Sequence, residues 1–250
     1  MTKAIHTFRI RRLLNRIHTR FYSKADPSCS GKHNRHIDIQ SIRAEIEKWR
    51  SEIPPMPSQP NEELVLFTTA DWYDLEYNYT ILQLYRAQIV DHRVETTEDV
   101  FLDCLRAAES ICQSYRRQFV GKLTSCTWSA LHELFLAGLT YLHCLWTSPA
   151  ARETSSHGRA NNTCNDCTIA LVIIAERWDV AAPYREIFMA LASRTMSMMR
   201  ETANENVSKN VASGDSENWA EEDLMEWMRI MADAGVLEGP NGLLTGLKRE

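Results

Sequence analysis

Glycine is scarce in this chain, and that limits what it can fold into. Only nine of 250 residues are glycine, and four of these (Gly235, Gly239, Gly242, Gly246) crowd the last sixteen positions. Tight turns, bulges and phosphate-cradling loops all need residues at positive φ, which glycine supplies at least cost. Sandwiches, barrels and glycine-loop nucleotide binders are therefore disfavoured. No stretch alternates apolar and polar residues over a strand's length. Apolar residues instead recur at helical spacing. Ile10, Leu13, Leu14, Ile17 and Phe21 fall on one helix face, and Ile39, Ile42, Ile46, Trp49 and Ile53 on another.

The expectation is an all-α, irregular multi-helix fold. Pro54, Pro55, Pro57 and Pro60 end the second helix in an extended connector. A third helix is expected over 69–86. A fourth covers 97–119, with Thr97 as its N-cap and Cys104, Ala108, Ile111, Tyr115 and Phe119 on its buried face. Thr127 caps a fifth, which Pro149 ends. A sixth runs over 164–179, and a seventh begins near Pro183 as a first-turn proline. Residues 150–163 are small and polar and read as a loop. The run Leu131–Trp146 is apolar but too short to cross a bilayer, so it reads as a buried core helix. The expected organisation is a basic amphipathic helix at 1–24, a helical domain at 25–200, a linker at 201–218 and an acidic amphipathic segment at 219–250.

The charge is unevenly placed. Seven basic residues, Lys3 to Lys24, precede the first acid, Asp26, so the rest of the chain carries -12 within a net charge of -5. Arg11, Arg12 and Arg16 are candidates for sequence-indifferent phosphate contacts. The acidic counterpart surrounds Trp219, Leu224, Trp227, Met228 and Met231, a candidate partner-binding surface. Its acids keep the apolar anchors hydrated until a groove takes them.

Catalytic signatures are missing from the sequence. There is no nucleophile elbow, P-loop or dinucleotide fingerprint, and His132-Glu133 lacks the second histidine of a zincin. Glu109, Asp71, Asp74 and Glu76 read as solvated helix faces. Cys164 and Cys167 form a CxxC with no second ligand pair, so they read as plain thiols at a helix start. No metal ligand and no cofactor site is assigned. The odd count of seven cysteines suits a reducing compartment, and no secretory signal is read at the N-terminus.

Several runs occur in a telling order: IRRLLNRIHTRFYS (10–23), SIRAEIEKWRSEIPP (41–55), WYDLEYNYTILQLYR (72–86), LHELFLAGLTYLHCLWTSP (131–149) and IIAERWDVAAPYREIF (173–188). The set resembles the C-terminal part of the regulatory, or middle homology, domain of fungal Zn2Cys6 zinc-cluster transcription factors, over roughly 5–199. That resemblance implies an all-helical, non-enzymatic, nuclear regulator of metabolic or secondary-metabolite genes. It would act through protein partners, either full-length zinc-cluster factors or the transcription machinery, with no membrane association. The family's six-cysteine zinc array has no counterpart here, because Cys104 is the first cysteine after Cys29. No specific DNA binding by this chain alone is therefore expected. If part of the helical core is missing, the apolar faces of the first two helices lack partners, and oligomers are expected. Two rival readings stand beside this one: a mitochondrial or membrane-surface protein led by the basic helix, and a motif-poor helical enzyme.

Overall fold

A computed structural model describes residues 3–22, 32–53, 70–89, 96–120 and 127–207. Among them there is no strand. Eight α-helices follow in order: α1 (Lys3–Ile17), α2 (Lys32–Ser51), α3 (Ala70–Ile89), α4 (Glu98–Phe119), α5 (Trp128–Thr147), α6 (Pro149–Thr154), α7 (His157–Arg177) and α8 (Ala182–Val207). A π-helical turn at His18–Tyr22 extends α1, and a 3-10 turn at Asp179–Ala181 leads into α8.

Helix starts follow their capping chemistry. The Thr127 hydroxyl accepts the Ala130 N–H at 3.2 Å, closing one of the orphan donors of α5. Ser148 serves two helices. Its N–H reaches Cys144 O at 3.0 Å to close α5, and its hydroxyl accepts Ala151 N–H at 3.0 Å to open α6, with Pro149 in the first turn. Thr97 has the extended backbone of an N-cap, but its side chain makes no capping bond.

Helix α4 is the hub, packing against α3, α5, α6 and α7. Helices α1 and α2 pack on each other and on α3, while α8 packs on α7 and α5. The core runs through α5, where Leu131, Leu134, Phe135, Leu136, Leu139 and Leu142 are fully enclosed. No described helix is long and apolar enough to cross a membrane.

The structure corrects four expectations. Residues 150–163 are helical, forming most of α6 and the first turns of α7. The buried stripe of α7 is Ala160, Thr163, Cys164, Cys167, Ala170, Leu171 and Ile174. It has perfect helical spacing, but it starts in small residues that carry little hydropathy. The last helix also runs on to Val207, past the expected linker boundary. The stripes of α1 and α2 do not lack partners. Ile10, Leu13, Leu14 and Ile17 are buried, as are Ile39, Ile42, Ile46 and Trp49. The Trp49 indole donates to His6 O at 2.9 Å and locks the two helices together. Finally, Glu76 and Glu109 are buried. Asp71 and Asp74 remain on exposed faces, and each meets an arginine, Arg117 at 3.6 Å and Arg50 at 3.7 Å.

Candidate functional site

The basic helix is where charge is concentrated, and the fold gives most of that charge a partner. Arg9 meets Glu52 at 2.6 Å. Arg16 clasps Glu45 with two bonds of 2.6 and 3.1 Å. Arg20 reaches Asp38 at 2.6 Å, and Arg11 reaches Glu76 at 2.6 Å. The α1 arginines thus zip the helix to α2 and α3. Each exposed pair contributes only about 0.2–1 kcal/mol, so the zip sets register more than stability. Burial of the apolar stripe between them holds α1 in place.

Of the three candidate phosphate contacts, Arg11 and Arg16 therefore already hold carboxylates of this chain. Arg12 is exposed and has no carboxylate partner among the described residues. It lines an open groove of about 730 Å³ between α1 and α2. Arg9, Arg16, Glu45, Lys48 and Glu52 form its walls, and Leu13 and Trp49 its floor. Trp219, Leu224, Trp227, Met228 and Met231, the candidate partner-binding residues, lie outside the described residues.

Beneath Arg11 the chain buries a polar layer that its sequence did not announce. The Glu76 carboxyl is pushed up to about 7, chiefly by burial, with Arg11 opposing and Glu133 adding to the rise. One of its oxygens has no hydrogen-bond partner. Glu133 accepts from Tyr115 at 2.6 Å and from Ser129 at 2.8 Å. Burial raises its carboxyl too, and those two hydrogen bonds oppose the rise. Burial and the Arg86 charge push the His132 imidazole down to about 4, so the ring is neutral. Gln83 is buried with an unpartnered carbonyl oxygen. Apolar residues crowd α3 around Glu76, with Leu75, Tyr77, Tyr79, Ile81, Leu82 and Leu84 all buried, yet the same helix keeps Asp71 and Asp74 exposed, so hydropathy alone did not single out Glu76.

The five described cysteines are packing residues in this fold. Cys104, Cys112, Cys144, Cys164 and Cys167 are buried free thiols. Burial pushes Cys164 up to about 12, and Cys104 and Cys167 well above the usual thiol range. A thiol that does not ionise is a poor ligand and a poor nucleophile. Among the described residues no group of three or more His, Cys, Asp and Glu side chains is placed to hold a metal ion.

No family model matches the chain, and no solved structure matches it. Two curated proteins are similar to it. One is the positive regulator of purine utilization of Emericella nidulans, 23% identical over 188 residues, an overlap covering 66% of this chain and 17% of that protein. The other is an uncharacterized transcriptional regulatory protein of Saccharomyces cerevisiae, 27% identical over 119 residues, covering 41% of this chain and 9% of that protein. The chain therefore matches less than a fifth of either relative's length, and what it is similar to is a segment of fungal transcriptional regulators.

Proposed function

We propose that this chain is a segment of a nuclear transcription regulator of the zinc-cluster type, carries no zinc-cluster motif within its 250 residues, acts through protein contacts and catalyses no reaction. The supporting observation is the likeness to a purine-utilization regulator across 66% of the chain. The ordered helical segments that resemble zinc-cluster regulatory domains point the same way. In this reading 25–200 is a helical scaffold. Trp219, Leu224, Trp227, Met228 and Met231 engage another protein, either a full-length zinc-cluster factor or the transcription machinery. The regulated genes are metabolic or secondary-metabolite genes.

The chain alone reads no DNA sequence in this proposal, because base readout needs an element positioned in a groove. Residual affinity comes from the basic helix, is indifferent to sequence and falls steeply with salt. Arg12 contributes most, since Arg11 and Arg16 are engaged with Glu76 and Glu45.

The test tethers the whole chain to a promoter through a heterologous DNA-binding module. Reporter output should change, and the double variant Trp227→Ala/Met228→Ala should bring it back toward baseline, since both anchors are lost while the charge stays. A reporter indifferent to the tethered chain would overturn the reading.

A further inference from the structure

We propose that the groove between α1 and α2 is the docking site of this chain's own acidic segment, residues 217–233. The groove is cationic in a specific way. Arg9 and Arg16 are neutralised by Glu52 and Glu45, but Arg12 and Lys48, both exposed on its rim, have no carboxylate among the described residues. Ile5 and Phe8 do not line the groove, but they precede its Arg9 and Arg12 at helical spacing on α1, with Phe8 76% and Ile5 43% exposed. A surface that sets large exposed apolar side chains beside unanswered cations suits an occupant that is acidic and apolar at once.

The chain holds such a segment. Residues 217–233 carry Glu217, Glu221, Glu222, Asp223, Glu226 and Asp233 against a single base, Arg229. Leu224, Trp227, Met228 and Met231 repeat at i, i+3, i+4 and i+7 within them. The tether length bounds the segment's reach. Helix α8 ends at Val207, and eleven residues separate it from Trp219. Extended, these span roughly 36–40 Å, comparable with the roughly 40 Å diameter of a helical domain of this size. A tethered segment that reaches the groove meets it at a raised effective concentration, in competition with free partners. The inference goes beyond the transcription reading and does not depend on it.

The experiment uses the full chain with a benzophenone amino acid at Asn15, which lines the groove. Equal amounts of light and isotopically heavy chain are mixed, irradiated and mapped by mass spectrometry. Cross-links from Asn15 to 217–233 should be isotopically pure. The Arg12→Glu/Lys48→Glu variant, checked for unchanged helical circular dichroism, should lower their yield about tenfold, as reversal of two surface attractions implies. Adding Glu222→Lys/Glu226→Lys should restore it. If the double reversal unfolds the chain, raising the salt of the unaltered chain from about 0.05 to about 0.5 M replaces it and should lower the yield likewise. Cross-links to other segments, isotopically mixed cross-links that identify a second copy, capture by acidic lipid vesicles in place of the segment, or a yield indifferent to charge and salt would each overturn the proposal.

Discussion

The guanidinium of Arg159, in the first turn of α7, grips the carboxylate of Glu109, midway along α4, with two bonds of 2.7 and 2.6 Å. The partners are unequally placed. The Glu109 side chain is 10% exposed and that of Arg159 is 49% exposed. Removing the arginine strands a buried charge, whereas removing the acid leaves a cation that water still reaches. Arg159→Met should therefore lose about 2–4 kcal/mol, and Glu109→Gln only about 1 kcal/mol. Urea unfolding of the two variants measures the asymmetry, and equal losses would contradict it.

A second prediction concerns Glu76, whose carboxyl rises from 4.5 to about 7 in the fold. The folded state then holds its proton more tightly than the unfolded one, so this group erodes stability as pH climbs from 4.5 through about 7. Glu76→Gln keeps the shape and removes the titration. The variant should match the parent near the low end of that window and exceed it by on the order of 2 kcal/mol above it, less the loss of the half-exposed Arg11 pair. Urea midpoints across that pH range provide the check.

His132 acts in the opposite direction. Its ring falls from 6.5 to about 4 because folding favours the neutral form. Its contribution is intact above 6.5 and is lost as pH falls toward about 4. His132→Leu should therefore flatten the acid limb of the stability curve by about 2–3 kcal/mol over that interval. An acid limb of unchanged steepness would refute the assignment.

Two glycines make a paired test of packing. A methyl at Gly138 in α5 would stand 2.6 Å from Phe188 and 2.8 Å from the Cys167 sulfur, whereas one at Gly158 would meet nothing within 4 Å. Gly138→Ala should cost about 1–3 kcal/mol despite its better helix propensity. Gly158→Ala should gain about 0.5–1 kcal/mol, since it only stiffens an exposed turn of α7. Thermal melts of both variants, run side by side, decide the point.

What the sequence settled by itself is local. Helical spacing located α1 to α5 and α8, the proline run bounded α2, and Thr127 and Pro183 marked starts that the structure keeps. The basic helix was legible for the same reason, because charge and periodicity are written in consecutive residues, but which of Arg11, Arg12 and Arg16 meets a carboxylate was not. Tertiary structure alone decided which polar residues lost their water. Glu76 and Glu109 sit in helical patterns much like those of Asp71 and Asp74. They are buried because α1 and α7 arrive over them bearing Arg11 and Arg159. The start of α7 was hidden because a stripe of alanine, threonine and cysteine is recognised as core only when α4 lies against it. Arg16 likewise reads as free in sequence and is held by Glu45, 29 positions away, only because α1 and α2 pack side by side. Periodicity fixes which face of a helix is apolar, and the neighbour that comes to rest on it determines the electrostatics of the polar groups at its edge.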